Sequence, residues 1–149
     1  MNIIALLGIM GLLLDQLVKL VVKHNLFLGQ SISIIPNFFS ITYVENDGAA
    51  WSLFRGNRLF LVLVAIAFLV ILYRFFIYQK SLRRIDQICF GLLIAGVLGN
   101  LVDRLFGGAV IDYFDVLLGK YQYPIFNLAD CFIVIAVIIM VIRTLKGSE

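Results

Sequence analysis

The sequence predicts an all-α membrane protein with four transmembrane helices and a small extracytoplasmic sheet between helices 1 and 2. Composition is the first sign: 62% of the 149 residues are hydrophobic and 14% are charged, with a mean hydropathy of +1.05, whereas a soluble domain carries roughly 25% charge. The second is the set of four apolar stretches, at about 3–22, 59–78, 88–105 and 125–142. Each approaches the ~20 residues that a helix needs to cross a bilayer, and helix is required because lipid offers no partner to an open backbone. The third is a run of β-branched and aromatic residues between the first two stretches, which predicts strands. No linker, repeat or low-complexity tract interrupts residues 1–149, so the chain reads as a single integral membrane domain.

The first stretch lacks a basic n-region, and it meets Asp15, Lys19 and Lys23 where a cleaved leader would carry small residues. It reads as a retained transmembrane helix. Asp15 and Lys19 stand four residues apart and can pair along the helix, which gives Asp15 a structural or site-supporting role. Residues 24–58 follow on the outer side. Ser-Ile-Ser-Ile-Ile (31–35) and Phe38 to Val44 read as short strands, with Pro36-Asn37 as the turn between them. The segment Glu45 to Phe54 is polar at its start: Asn46-Asp47-Gly48 is a turn, Gly48-Ala49-Ala50 permits close backbone approach, and Trp51 suits the headgroup zone. Alone, this segment reads as an interfacial anchor.

The second helix ends at a short connection, 79–84, that holds Lys80, Arg83 and Arg84. An even number of spans puts both termini on the same side as this connection. Basic residues divide evenly between the two sides until Lys19 and Arg104 are set aside as neutralised by Asp15 and Asp103. The balance then makes the side of the termini cytoplasmic.

Near the end of the third helix Asn100, Asp103 and Arg104 share one face at i, i+3 and i+4. They are a self-satisfied polar stitch between helices, or they orient a catalytic group, and the two roles are compatible. Gly107-Gly108 breaks the helix, and the apolar, aromatic stretch 109–118 lies near the surface. Within it Asp112 has aliphatic and aromatic neighbours, which desolvate the carboxyl and raise its pKa; Asp115 is the more solvated. The fourth helix opens Phe126-Asn127-Leu128-Ala129-Asp130. Asn127 reads as its N-cap, and Asp130 stands a full turn deeper, where capping does not explain it.

A carboxylate at the edge of hydrocarbon costs roughly 2.5–3.5 kcal/mol on the insertion scale and marks a functional site. Asp112 and Asp130 are the best pair. Two carboxylates that approach one another share a proton, so one serves as general base and the other as general acid. That division hydrolyses a peptide bond without metal, serine or cysteine. Other chemistries lack their residues. Cys89 and Cys131 fall in apolar spans with no ligand spacing, His24 is the only histidine, and no GxSxG occurs. The net charge of +3 comes without a basic stripe, so nucleic acid is not an expected partner. No cofactor and no metal are expected.

Five motifs in order resemble the lipoprotein signal peptidase (signal peptidase II) family: Asp15-Gln16; Asn46-Asp47-Gly48-Ala49-Ala50-Trp51; Gly99-Asn100-Leu101-Val102-Asp103-Arg104; Val110-Ile111-Asp112-Tyr113; and Phe126-Asn127-Leu128-Ala129-Asp130. The resemblance covers essentially the whole chain. It implies a bacterial aspartyl endopeptidase with four transmembrane helices and an outer β-cradle. Such an enzyme cleaves prolipoproteins before the diacylglyceryl-modified cysteine. By position it makes Asp112 and Asp130 the catalytic pair. Asn46, Gly48, Asn100, Arg104 and Asn127 become residues that line the site and contact substrate, and Asp15 and Asp103 supports of the site and fold. Tyr113 stands where the family often has Phe, a departure that leaves the chemistry untouched, and the loops are short. The partners implied are lipid-modified prolipoproteins and membrane lipid, with the enzyme in the cytoplasmic (inner) membrane and its active site near the extracytoplasmic face; a monomer is the default expectation. The substrate's acyl chains would stay in lipid or lie in an apolar groove between helices lined by Phe54 or Phe126. Two other readings compete: a transporter or channel that relays protons through its acids, which the one-sided clustering and lack of internal repeats oppose, and a scaffold whose polar residues bind partner helices.

Overall fold

The computed structural model describes residues 3–49, 53–78 and 82–147, with the backbone alone at 76–78. Four helices run α1 (Ile3–Asn25), α2 (Arg58–Tyr78), α3 (Arg84–Phe106) and α4 (Leu128–Leu145). All four are long and apolar enough to cross a membrane. Half of the α3 span is inside the protein, against about a tenth (11%) of α2 and of α4. The helix α3 is therefore the central post, with α1 and α4 packed closely along it and α2 leaning on it. Outward faces carry Leu13, Leu20, Leu59 and Ile71, each more than 60% exposed, where lipid would cover them.

Small residues on α3 let the neighbours approach. A Cβ on Gly99 would stand 2.5 Å from Asp15 Oδ2 on α1, and one on Gly96 would run into the Ala129 carbonyl on α4. Glycine at these two points allows the polar groups of three helices to meet inside an apolar bundle.

Four strands form a mixed-origin antiparallel sheet in the order β1 (Ser31–Ile35), β2 (Phe39–Asn46), β3 (Val110–Leu118), β4 (Tyr121–Gln122). The first two form the expected hairpin, turned through Pro36 and a left-handed Asn37 (φ 59°). The sheet is not confined to the connection between helices 1 and 2, however. Its other two strands come from the α3–α4 connection, so the molecule is mostly helical with a sheet built from both outer segments. Residues 109–118 read as a near-continuous apolar run, which periodicity cannot assign to strand or helix. The deciding partner is β2, with Val44 opposite Asp112 and Asn46 opposite Val110.

The helices overrun their apolar windows at polar ends: α1 continues to Asn25 and α3 begins at Arg84. The fourth starts later than the hydropathy suggests, because Phe126 is taken up by backbone bonds to Tyr113 and Phe114 on β3. Ala50, Trp51 and half of the 79–84 connection (79–81, with Lys80) lie outside the described residues.

Candidate active site

The N-terminus of α4 is built by three separate elements. Its free N–H groups need acceptors, and each finds one. Asn127 caps with Oδ1, which accepts from Asp130 N at 3.0 Å. Asp15 Oδ1, from α1, accepts from Ala129 N at 3.0 Å. The Tyr113 hydroxyl, from β3, accepts from Leu128 N at 3.1 Å. An anion at this end of a helix also meets the positive end of the macrodipole. Asp130 closes a capping box, its Oδ2 accepting from Asn127 N at 3.2 Å. Asp130 therefore does take part in capping, contrary to the expectation that it lies too deep: Asn127 is the cap and Asp130 the third helical residue, the position from which a side chain reaches back.

With α4 fixed in this way, two carboxylates face one cavity. Asp112 comes from β3 and is 2% exposed. Its Oδ1 accepts from Asn127 Nδ2 at 2.6 Å and its Oδ2 from Asn46 Nδ2 at 2.9 Å. Asn46 reaches it diagonally from the end of β2, held by Gly48 N donating to Asn46 Oδ1 at 3.0 Å. The other oxygen of Asp130, Oδ1, accepts from Asn100 Nδ2 at 2.7 Å. The two acids are linked through amides, because Asn127 Nδ2 also donates to Asn100 Oδ1 at 3.0 Å. The cavity has a volume of about 640 Å³, and Asn46, Asn100, Arg104, Asp112 and Asp130 bring polar groups to it. Its apolar wall includes Phe126 and Ile133.

The Asp112 carboxyl is pushed up to about 7. Burial is the main cause and the charge of Asp130 the next. The amide donors of Asn46 and Asn127 and the distant Lys19 charge work the other way. A carboxyl that keeps its proton to near-neutral pH beside a second carboxyl is the arrangement that acid–base hydrolysis needs.

Asp15 and Asp103 lie behind this pair. Lys19 Nζ stands 2.8 Å from Asp15 Oδ2 and 2.7 Å from Asp103 Oδ2, with all three side chains nearly closed to solvent. Gln16 Nε2 donates to Asp103 Oδ1 at 3.0 Å and to the Gly99 carbonyl at 3.2 Å, while Asp103 Oδ2 accepts from Ile111 N at 3.2 Å and so ties α3 to β3. Arg104 does not pair with Asp103 as the sequence suggested. It turns to the outer segment, donating from Nη2 to the Gly48 carbonyl at 2.9 Å, while its Nε is buried with no hydrogen-bond partner among the described residues. Asp103 is occupied by Lys19 and Gln16 instead.

Asp15, Asn46, Asn100, Asp103, Arg104, Asp112, Asn127 and Asp130 thus converge from α1, β2, α3, β3 and α4, and Gly48 joins them through its backbone. The sequence reading missed the reach of Lys19, the bonds of Gln16 and the hydroxyl of Tyr113. The Asp15–Lys19 spacing was the only signal for the lysine, and it gave just one of its partners. Tyr113, a departure expected to be neutral, supplies an oxygen to the α4 terminus that Phe could not. Phe126 lines the cavity; Phe54 instead packs on Phe60, ring centres 4.9 Å apart.

The chain and its fold have counterparts among known proteins. The lipoprotein signal peptidase of Staphylococcus haemolyticus is 37% identical over 138 residues, 93% of this chain and 87% of that protein. That of Staphylococcus aureus is 36% identical over 144 residues, 97% and 88% of the two chains. A solved bacterial membrane enzyme superposes with a TM-score of 0.89 at 36% identity, covering 96% of this chain and 87% of its own. The model of the Signal peptidase (SPase) II family matches residues 7–146. Coverage of this extent, together with four apolar helices, shows that this multi-pass membrane protein belongs to the signal peptidase II family of peptidases.

Proposed function

We propose that the chain removes signal peptides from prolipoproteins, cutting before a diacylglyceryl-modified cysteine with Asp112 and Asp130 as an acid–base pair. The observation that carries this reading is the juxtaposition of two amide-held carboxylates on one cavity, one of them protonated up to about pH 7. The ionised carboxylate takes a proton from water as the oxygen attacks the scissile carbonyl carbon. The protonated one gives its proton to the carbonyl oxygen. On collapse of the tetrahedral species the C–N bond breaks, the carboxyl that took the proton from water gives it to the leaving amine, and the diol hydroxyl returns its proton to the other carboxylate as the carbonyl re-forms, so the pair regains its shared state.

Substrate geometry favours the same assignment. A lipid-anchored precursor presents its scissile bond at the surface of the membrane. The pair lies where α3 and α4 meet the sheet, at the end of the bundle away from the termini. The termini would be cytoplasmic, the sheet extracytoplasmic and the host membrane the bacterial inner membrane. Acyl chains would follow the apolar wall past Phe126 and Ile133 into lipid. Arg104, which lines the cavity, would meet a substrate carbonyl. The enzyme would act as a monomer on lipid-modified prolipoproteins.

The test is product mapping by mass spectrometry on two synthetic precursors that differ only in the diacylglyceryl group. Purified enzyme should cut the lipidated peptide at the bond before the cysteine and leave its unlipidated twin intact. Equal cleavage of both, or a cut elsewhere, would contradict the assigned substrate class.

A further inference from the structure

Lys19 is the most buried cation in the described part of the molecule, 1% exposed inside a span. An ammonium has three N–H donors, and here all three have acceptors. Two go to carboxylates, Asp15 at 2.8 Å and Asp103 at 2.7 Å. The third goes to the side-chain oxygen of Asn100 at 3.1 Å. An ion pair that served only to join α1 to α3 would need no amide. The amide matters because its other end donates to Asp130.

A carboxamide can present either end. If Asn100 turned over, its oxygen would face the Asp130 carboxylate and its NH2 would face Lys19, repulsive at both places. The second donor to Asn100 Oδ1 is weakly committed. Asn127 Nδ2 has two hydrogens and three acceptors within reach: Asp112 Oδ1 at 2.6 Å, Asn100 Oδ1 at 3.0 Å and the Ile111 carbonyl at 3.3 Å. Lys19 supplies the charge-assisted bond, about twice as strong as a neutral one.

We propose that Lys19 is a positioning residue for the reaction: by holding the Asn100 oxygen it fixes the orientation of the amide, so that the amide donates to Asp130 and keeps that carboxylate aimed at the cavity. The inference rests on the assignment of Asp130 to the reacting pair. Among the described residues, the charged and titratable groups on the elements packed around Asp130 are Arg104 and Asp103 on α3, Asp112 and Tyr113 on β3, Cys131 on α4, and Asp15 and Lys19 on α1. Among them Lys19 is the cation that reaches it through a neutral amide that can flip.

The experiment compares the parent enzyme with Lys19→Met, Asn100→Ala, the pair together, and the charge-balanced Lys19→Met/Asp103→Asn, on the lipidated precursor across pH. Expected is a kcat lower by about 10- to 100-fold in Lys19→Met, the range for losing a group that orients a site residue from behind, with KM within about twofold and the acid limb of the pH–rate profile moved to higher pH. In the Asn100→Ala background Lys19→Met should add little further loss, since the lysine acts through that amide. If Lys19→Met does not fold, the charge-balanced variant takes its place and should show the same slow kcat and shifted limb. Parental kcat and profile in either folded lysine variant, additive losses in the double variant, or failure of both lysine variants to fold would overturn the proposal. No cleavage by the folded parent would instead remove the underlying assignment of function.

Discussion

Asn127 meets three demands at once. Its oxygen caps α4, and its NH2 group serves both Asp112 and Asn100. Amides rather than opposite charges hold the two acids, and this bears on pH. An arginine against Asp112 would hold the carboxyl ionised, whereas neutral donors only partly offset burial and leave it near 7. The folded carboxyl thus sits above its unfolded value of 3.8. Between about pH 4 and 7 the native state binds more protons than the unfolded one, so this group's stability contribution is full below the unfolded value and declines as pH rises. The steepest loss from one such group is about 1.4 kcal/mol per pH unit. Thermal unfolding in detergent should show the parent's Tm falling from pH 5 to pH 7.5, with a clearly shallower fall in Asp112→Asn; parallel slopes would contradict the perturbed carboxyl. At this scale the sequence was legible where local spacing decided the contact. Asn100 and Asp103 point to one cluster as their i, i+3 spacing indicates, and Asn127 caps as its place before an apolar run suggests. It was illegible where the partner is remote. Gln16 bonds a residue 87 positions away, and Lys19 bonds one 81 positions away, so no local pattern shows them.

The helices α1, α3 and α4 meet through side chains that normally repel one another from lipid, and their contact depends on absent side chains. Gly99 is the clearest case. A methyl there would press on Asp15 Oδ2 at 2.5 Å and the Ala129 methyl at 3.1 Å, pushing the carboxylate away from the Ala129 N–H that it caps. Gly99→Ala should lower stability by roughly 1–3 kcal/mol, the range for overpacking, and lower kcat as α4 shifts; thermal unfolding read beside turnover checks both, and an unchanged Tm would contradict the packing. Elements themselves were readable in the sequence where length and composition agree, as for all four helices and the β1–β2 hairpin. The strand β3 was not readable, because an apolar run becomes a strand only when a partner edge is present, and that edge, β2, lies more than sixty positions earlier.

The start of α1 and the end of α4 lie at one end of the bundle, and the sheet with its two acids lies at the other. The large apolar side chains outside the core, such as Leu20, Val70 and Leu145, are those of a protein whose solvent is lipid. Membrane class followed from composition and span number from the four apolar stretches; sidedness rested on a narrow charge balance, and is open to direct measurement. In a variant with Cys89 and Cys131 replaced by serine, a cysteine at Ser33 should react with a membrane-impermeant maleimide in intact cells. One at Lys146 should react only after the membrane is opened, and the reverse pattern would invert the orientation.

The claim on which the account turns is that Asp112 and Asp130 act together. The most direct measurement is cleavage of a lipidated prolipoprotein peptide by the parent and by folded Asp112→Asn and Asp130→Asn variants. Loss of turnover by at least about 10²- to 10⁴-fold in each, the range for removing a group that moves the proton, is the predicted result. Turnover near the parental rate in either variant would contradict the pair.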